Sequence, residues 1–454
     1  MQIEERHRAI LVDLYELTMA QAYFDREMFA PATFSLFIRK YPNHRGYFVS
    51  AGAEEVVEYL ESFRYSDEDL TYLKSTGLFS AEFLNYLAQV RFTGNVHAIP
   101  EGRLFFKNEP IVEVTAPIIE GQLAETYIIN AINLPVTIAS KAARCYHAAE
   151  GRGLVDFSLR RTQGADAGMA VARSSYIAGF DATSNVAAGK LYGLPTSGTM
   201  AHSFVMSFED EIESFRAFAR TFGDQTVLLI DTYDTLTGAE KAVEVAREMK
   251  SKGRNLRGVR LDSGDMVELS RQVRRILDEN GFEDVQIFAS GSYDEYKIAR
   301  SISEGARIDA FGVGTKMGVS ADTPYTDIAY KLVQYDERPV LKLSSGKKSL
   351  VAEKQVFRMQ SEGRYRGDTI GLRHEKLDGE PLLAAMMKDG GRLKEAVPAE
   401  VIRDRFMEEF DRFDEAVRAI ESPAEYPVRI SDELQKLQDR IVEETRRKEL
   451  DAAS

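Results

Sequence analysis

Residues 258–292 have the sequence GVRLDSGDMVELSRQVRRILDENGFEDVQIFASGS, which contains one complete strand–helix–strand unit. Two short apolar runs, GVRL (258–261) and VQIFA (285–289), flank a segment with the apolar period of an amphipathic helix. Parallel strands that are buried on both faces have this continuous apolar character, and a crossover helix joins them. The stretch therefore predicts a βαβ unit within a parallel sheet.

The same pattern recurs between residues 154 and 315, at a spacing of roughly 20–30 residues. The predicted strands are LVDFS (154–158), GFDAT (179–183), TSGTM (196–200), TVLLI (226–230), GVRL (258–261), VQIFA (285–289) and IDAFGV (308–313). Seven such units predict an α/β barrel or a wound sheet, and in both architectures ligands bind at the carboxyl ends of the strands. Capping-box patterns at Thr237-x-x-Glu240 and Ser292-x-x-Glu295 predict two of the helix starts.

The two ends of the chain predict a second domain. Residues 1–117 mix helical patterns with short strands punctuated by Gly and Pro. Two later segments predict antiparallel strands, YKLVQY and RPVLKLSSGKKSLVAEKQVFRM. We predict a discontinuous α/β sandwich domain from residues 1–117 and 335–454, with two charged amphipathic helices near its end, and a barrel domain from residues 118–334.

Composition narrows the class of protein. The 454 residues carry a formal net charge of −14 with both signs interspersed, which makes nucleic acid an unexpected partner. Cys145 is the only cysteine, so an internal disulfide and a cysteine-based zinc cluster are excluded. No uncharged apolar run reaches the ~18 residues of a membrane span. We expect a soluble cytoplasmic protein without a membrane partner.

Two loops of small residues follow neighbouring predicted strands. FGVGT (311–315) places Gly312 and Gly314 before the hydroxyl of Thr315, and ASGS (289–292) places Ser290 and Gly291 ahead of a helix. Such loops let backbone N–H groups approach an anion closely. Each loop alone is more often a simple turn, but together they predict a phosphate pocket.

Charged side chains follow two other strands. Arg260 and Asp262 are two residues apart and so lie on the same side of an extended chain. A guanidinium can hold a phosphate or carboxylate, and a carboxylate can accept hydrogen bonds from ribose hydroxyls; the alternative is an internal salt bridge with Asp265 as a helix cap. Arg160 and Arg161 precede a glycine and a helix, which predicts an anion site or, alternatively, a surface pair.

His202 stands in the stretch PTSGTMAHSFVMSF (195–208), directly after a run of small residues. Asp231 ends the apolar strand TVLLI and would lie beside His202 if the two strands are neighbours. A carboxylate on one ring nitrogen would fix the tautomer and raise the nucleophilicity of the other nitrogen. The alternative is a structural histidine. By chemistry alone the residues predict a phosphosugar or nucleotide site, without a metal cluster or a redox-cofactor motif.

The motifs, taken in order, resemble those of the nicotinate phosphoribosyltransferase family. They are LVDLYELTMAQAYF (11–24), DFSLRRTQG (156–164), GFDATSNVAAGKLYGLPTSGTMAHSFV (179–205), LLIDTYDT (228–235), GVRLDSGDM (258–266), ASGSYDE (289–295) and DAFGVGTKMGVS (309–320). The resemblance implies that nicotinate and phosphoribosyl pyrophosphate give nicotinate mononucleotide and pyrophosphate, with Mg²⁺ and coupled ATP hydrolysis. It also implies an irregular seven-stranded α/β barrel beside an α/β sandwich domain, in a homodimer with interface active sites.

The resemblance implies roles for the polar residues. His202 would be transiently phosphorylated by ATP, and Asp231 would orient it. Arg160 would meet the pyrophosphate, Arg260 would lie beside the pyridine carboxylate and ribose, and Asp262 would hold the ribose diol. The loops at Ser290–Gly291 and at Gly312, Gly314 and Thr315 resemble the cradle of the 5′-phosphate.

The resemblance also assigns the pyridine site. Tyr15 from the partner subunit and Phe157 would stack on the two faces of the ring. Thr183, Ser184 and Asn185 occupy a loop in which amide-specific relatives carry an acid. An acid there would repel a carboxylate substrate, so its absence suits nicotinate.

Three alternatives stay open. A related transferase for nicotinamide or quinolinate would share the fold and the phosphate loops. A sugar-phosphate lyase or isomerase barrel would need a Schiff-base lysine or paired carboxylates at the strand ends, and neither is convincingly placed. An inactive barrel is disfavoured because His202, Asp231, Arg260 and Asp262 are all present.

Overall fold

The first part of the chain combines helices with short strands. A computed structural model describes residues 5–343 and 349–449. Its first elements are α1 (Leu14–Asp25), β1 (Pro31–Ile38), β2 (Phe48–Val49), α2 (Ala53–Glu61), α3 (Asp67–Ser75), α4 (Ala81–Gln89), β3 (Asn95–Ala98), β4 (Leu104–Phe105), β5 (Val112–Pro117), α5 (Ile118–Leu123) and α6 (Glu125–Ala149).

Strands and helices alternate through the middle of the chain. These elements are β6 (Gly153–Asp156), α7 (Ala165–Ile177), β7 (Ala182–Thr183), α8 (Val186–Tyr192), α9 (His202–Met206), α10 (Glu211–Phe222), β8 (Val227–Leu229), α11 (Thr235–Ser251), β9 (Gly258–Leu261), α12 (Met266–Glu279), β10 (Gln286–Ala289), α13 (Glu295–Ser303), β11 (Ala310–Val313) and α14 (Thr315–Gly318).

The last part of the chain returns to antiparallel strands and ends in helices. It contains β12 (Ile328–Tyr335), β13 (Arg338–Pro339), β14 (Lys354–Ser361), β15 (Arg364–Leu372), β16 (Glu380–Pro381), β17 (Ala384–Lys388), β18 (Gly391–Arg392), α15 (Ala399–Phe410), α16 (Glu415–Arg418), β19 (Val428–Ile430) and α17 (Asp432–Glu449).

The chain divides into two compact units: one takes the chain up to Thr137 and again from Tyr325 onward, and the other spans Ile138–Pro324. In the second unit a parallel sheet has the strand order β7-β6-β11-β10-β9-β8. This mixed α/β arrangement confirms the strands predicted at six places in the sequence, and it brings their carboxyl ends to one edge.

The predicted strand at residues 196–200 is wrong. Thr196 makes one isolated parallel bridge to Thr183, and the Ser197 N–H donates to the Thr183 carbonyl at 3.0 Å. Beyond that point the segment has no ladder, which fits the low strand propensity of its serine and glycine residues. A closed seven-stranded barrel is therefore not confirmed.

The helix starts are held by aspartates rather than by the predicted capping boxes. Asp234 caps α11 by accepting a hydrogen bond from the Thr237 N–H, and Asp294 caps α13 by accepting one from the Lys297 N–H. Ser292 instead lies in the loop with a φ of 57°. An Asp carboxylate caps a helix as well as Ser or Thr does, so the pattern alone misplaced these starts by two or more residues.

The first unit contains sheets built from both ends of the chain. One has the order β13-β12-β1-β5-β3-β17-β18, and another has the order β16-β14-β15-β19. The antiparallel pairing of β12 with β1 and β13 confirms the prediction for YKLVQY, and α15 and α17 confirm the charged helices. Residues 344–348 of the other predicted strand segment lie outside the described residues. Within the described ranges, no helix is long and apolar enough to cross a membrane.

Candidate active site

A buried carboxylate joins the ends of β6 and β7. Asp156 Oδ1 accepts hydrogen bonds from the Ser158 N–H (2.9 Å) and hydroxyl (2.5 Å), and its Oδ2 accepts one from the Thr183 hydroxyl (2.7 Å). Burial raises the pKa of Asp156, while these hydrogen bonds oppose the rise. Asp156 thus fixes the backbone that presents Phe157. The sequence offered no signal for this role beyond a polar residue at a strand end.

The three predicted residues of the β7 loop have different surroundings. Thr183 and Asn185 are each 1% exposed. The Thr183 hydroxyl accepts from the Asn185 N–H at 3.0 Å, and Asn185 caps α8 while its amide donates to the Gly168 carbonyl at 3.1 Å. Ser184 is half-buried. Internal hydrogen bonds therefore occupy two of these side chains, and a substrate contact from this loop stays a prediction.

Phe157 lies against a glycine that the ring requires. A Cβ atom at Gly312 would come within 2.5 Å of the Phe157 ring, so a larger residue would displace the aromatic side chain. The guanidinium carbon of Arg260 lies 6.0 Å from the ring centroid. These residues line one cavity together with Val227 and Phe288, so strands from both halves of the sheet face a common interior. The guanidinium therefore lies at cation–π distance from the ring.

Arg260 is half-buried, and only some of its N–H groups have hydrogen-bond partners. It donates to the Thr199 hydroxyl at 2.6 Å and to the Met200 carbonyl at 2.9 Å. Its Nε is buried and has no hydrogen-bond partner among the described residues. Burial lowers the pKa of Arg260, and the nearby carboxylates of Asp262 and Asp231 oppose that shift. A buried N–H without a partner is costly, which favours an anionic ligand at this position.

A carboxylate network joins the ends of β8, β9 and β10. Asp231 Oδ2 accepts from the Asp262 N–H (2.9 Å) and from the Ser263 hydroxyl (2.7 Å), and Asp262 Oδ1 accepts from the Ser290 hydroxyl (2.5 Å). Gly291 has a φ of 98°, and a Cβ there would lie 2.2 Å from the Asp262 carbonyl oxygen. Only glycine fits this approach. The structure thus brings the predicted diol acid next to the predicted phosphate loop.

His202 is the first residue of α9, and its side chain is 39% exposed. A hydrogen bond of 3.1 Å joins its Nδ1 to the Thr232 hydroxyl, and its Nε2 lies 4.0 Å from Asp262 Oδ2. The sequence paired His202 with Asp231, but the structure places the next residue along the chain against the imidazole. Asp231 Oδ1 is buried without a hydrogen-bond partner among the described residues.

Two lysines that the sequence analysis did not select flank the small-residue loops. Lys297 donates to the Gly291 carbonyl at 2.6 Å, and Lys316 forms an ion pair of 2.6 Å with Asp294. Burial, and then the charge of Lys316, lower the pKa of Lys297. The two lysines bring positive charge to the loops after β10 and β11, which are adjacent strands. Their only sequence signal was a position in the first turn of the following helices.

The remaining predicted residues are more exposed. Arg160 lies in a 3-10 turn, Leu159–Arg161, and is exposed. Gly314 and Thr315 form the start of α14. Tyr15 lies on α1 of the other unit and is 46% exposed.

Among residues 5–343 and 349–449, no group of three or more His, Cys, Asp or Glu side chains could hold a metal ion.

Three family models together match most of the chain. They are the nicotinate phosphoribosyltransferase (NAPRTase) N-terminal domain over residues 10–133, the NAPRTase family over residues 153–367 and the NAPRTase C-terminal domain over residues 375–438.

Two relatives and one solved structure are also similar to most of the chain. The chain is 48% identical over 436 residues to nicotinate phosphoribosyltransferase pncB2 of Mycobacterium tuberculosis, covering 96% of this chain and 94% of that protein. It is 40% identical over 381 residues to nicotinate phosphoribosyltransferase of Bacillus subtilis, covering 82% and 77%. The crystal structure of human nicotinic acid phosphoribosyltransferase superposes with a TM-score of 0.85 at 27% identity, covering 94% of this chain and 99% of that one.

Proposed function

The chain belongs to the nicotinate phosphoribosyltransferase family, and from this premise we propose that it forms nicotinate mononucleotide and pyrophosphate from nicotinate and phosphoribosyl pyrophosphate, in salvage of nicotinate for NAD. The single observation that carries the proposal is that Arg260, whose Nε is buried and has no partner among the described residues, lines the same cavity as Phe157. An aromatic ring beside a spare guanidinium N–H suits a flat ring that carries a carboxylate. Nicotinate has this chemistry.

Phosphoribosyl pyrophosphate would occupy the strand ends beside that pocket. The ribose hydroxyls would donate to Asp262, whose carboxylate is positioned by Ser290 at 2.5 Å. The 5′-phosphate would accept from the loops at Ser290–Gly291 and Gly312–Thr315, with Lys297 and Lys316 supplying charge. Arg160 would meet the pyrophosphate. In this arrangement, groups that bind anions lie at both ends of the sugar, one set at the 5′-phosphate and the other at the pyrophosphate.

The reaction is a displacement at ribose C1′. The bond from C1′ to the pyrophosphate oxygen breaks, the pyridine nitrogen forms the new bond from the opposite face, and pyrophosphate leaves with the bonding electrons. No proton has to move at the pyridine nitrogen. Phe157 and Arg260 would hold the ring in line, while Asp262 would face the positive charge that develops on the sugar. Positioning and electrostatics therefore provide the catalysis, and no general base is needed.

Magnesium fits the carboxylates at this site. Asp231 Oδ1 is a buried oxygen without a partner among the described residues, and the carboxylate of Asp262 is partly exposed beside it. Mg²⁺ usually takes one or two protein carboxylates together with substrate phosphates and water, so the absence of a larger ligand cluster is compatible with it. Asp231 and Asp262 would hold the ion, which would supply positive charge beside the pyrophosphate.

We also propose that ATP hydrolysis is coupled to the transfer through His202. The γ-phosphoryl group would move to Nε2, because Nδ1 is engaged by Thr232 at 3.1 Å, whereas Nε2 lies 4.0 Å from Asp262 Oδ2, beyond hydrogen-bond distance. ADP leaves, and later attack of water on the phosphohistidine returns the imidazole and releases phosphate. Asp231, which precedes Thr232, would supply negative charge near the phosphorylated ring. This coupling would drive nucleotide formation.

Substrate preference tests the proposal against its closest alternatives. The nicotinate carboxylate would bind Arg260, and the loop at residues 183–185 has no acidic residue to repel it. We therefore expect kcat/KM for nicotinate to exceed that for nicotinamide by about 10- to 100-fold, which corresponds to the free energy of one hydrogen bond to a charged group. Quinolinate should be a poorer substrate than nicotinate. The measurement is nucleotide formation from each pyridine at equal phosphoribosyl pyrophosphate. A preference for nicotinamide or quinolinate would replace this assignment with the corresponding relative.

A homodimer with shared active sites is also part of the proposal. Tyr15 is accompanied on the surface by Leu11 and Leu14, which are also exposed, and such a patch suits an interface. We expect Tyr15→Ala to raise KM for nicotinate, because one stacking face is lost.

Mixing Tyr15→Ala with an Arg260→Ala subunit should restore activity, since a hybrid dimer would contain one site with both residues intact. Mixing each variant only with itself is the control. Without restoration in the hybrids, Tyr15 would have to act within its own chain.

A further inference from the structure

The segment that carries His202, residues 197–202, has three anchors on three different strand ends. The Ser197 N–H donates to the carbonyl of Thr183, the last residue of β7. Arg260 near the end of β9 holds Thr199 and Met200, and Thr232 after β8 contacts His202. A Cβ at Gly198 would meet nothing within 4 Å. Gly198 has no close neighbour on its Cβ side, whereas Met200 is buried and Arg260 binds its carbonyl, so the guanidinium is one of the attachments of this segment.

Arg260 contacts this segment with two of its three nitrogens. One terminal nitrogen donates to the Thr199 hydroxyl (2.6 Å) and the other to the Met200 carbonyl (2.9 Å), while the buried Nε is left without a described partner. Because the guanidinium is planar and rigid, an anion drawn to Nε reorients the same plane that holds Thr199. Thr199 lies three residues before His202, so one side chain joins the pyridine pocket to the phosphoryl acceptor.

We propose that Thr199 is a positioning residue that ties the His202 segment to Arg260 and thereby couples nicotinate binding to phosphorylation of His202. The inference rests on the proposed function. Thermodynamic linkage requires the coupling to be reciprocal: phosphorylation of His202 strengthens nicotinate binding by the same factor by which nicotinate favours the phosphorylated form. The Thr199 hydroxyl carries part of this coupling, and the backbone contact at Met200 carries the rest.

Thr199→Val tests the proposal, because it removes the hydroxyl and keeps the shape of the side chain. We expect the ATP consumed per nucleotide to rise and the ATP-dependent decrease in KM for nicotinate to shrink, each by about tenfold, as for the loss of one hydrogen bond to a charged donor. Thr199→Ser keeps the hydroxyl and should restore both quantities. Phosphohistidine is measured in parallel as acid-labile label from ATP.

Thr221→Val is the matched control. Thr221 is exposed on α10, and its hydroxyl donates only to the Ala217 carbonyl of the same helix at 3.1 Å; this variant should couple ATP as the unaltered enzyme does. If Thr199→Val loses the native circular-dichroism spectrum, Thr199→Ala takes its place.

The outcomes separate the two claims. An unaltered enzyme with neither phosphohistidine nor ATP-dependent KM overturns the ATP step and this inference with it. Normal coupling in both the unaltered enzyme and Thr199→Val overturns the inference alone.

Discussion

His202→Ala abolishes ATP hydrolysis during turnover while transfer from phosphoribosyl pyrophosphate to nicotinate continues. His202 Nε2 lies 4.0 Å from Asp262 Oδ2, whereas the proposed pyridine pocket is lined by Phe157 and Arg260. Different residues would therefore accept the phosphoryl group and bind the pyridine, so removal of the imidazole leaves the pyridine pocket in place. We expect ATP hydrolysis to fall by about 10⁶-fold, as when a residue that forms a covalent intermediate is removed. The measurement is the release of phosphate and of nicotinate mononucleotide in the same reaction.

His374→Ala is the matched control for this experiment. His374 is exposed and its Nε2 pairs with Glu433 at 3.0 Å, so His374→Ala removes an imidazole that contacts none of the proposed site residues. Its ATP use should equal that of the unaltered enzyme. ATP use per nucleotide that is unchanged in His202→Ala would exclude the phosphohistidine.

Arg260→Lys should reduce kcat/KM for nicotinate by about 100-fold and abolish most of the preference for nicotinate over nicotinamide. A lysine has its three N–H donors on one nitrogen, so it cannot reach Thr199, Met200 and the substrate from the three separate nitrogens that the guanidinium offers. An ammonium is also a point charge without the planar fork that matches a carboxylate. The measurement is kcat/KM for both pyridines, since a general loss of folding would reduce the two values equally.

Arg275→Lys provides the comparison, because Arg275 is exposed on α12 of the same unit. We expect its two kcat/KM values to match those of the unaltered enzyme. If Arg260→Lys retained the nicotinate preference, the carboxylate would have to be recognised elsewhere.

The parallel strands could be predicted because strands buried on both faces leave an apolar run in the sequence. β9 and β10 lie within a residue of their predicted positions. The strand predicted at residues 196–200 was wrong because contacts to Thr183 and Arg260, which are distant along the chain, determine the conformation of this segment. A local pattern contains no information on such contacts.

The candidate site could be predicted in outline from the residues at the strand ends. The backbone conformation beyond β8 determines which side chain faces the imidazole. It directs Thr232 to His202 and Asp231 to the Asp262 N–H, and the sequence does not specify that conformation. Asp156 and Lys297 were missed because their roles arise from hydrogen bonds to neighbouring loops. Polar residues at helix starts and strand ends are common, so their sequence context alone did not distinguish them.

Nucleotide formation from nicotinate tests the central claim most directly. The protein is incubated with nicotinate, phosphoribosyl pyrophosphate and Mg²⁺, with and without ATP, and nicotinate mononucleotide and pyrophosphate are quantified. We predict equal amounts of the two products in each reaction, and a higher yield of nucleotide with ATP. Absence of nicotinate mononucleotide under both conditions would contradict the assignment.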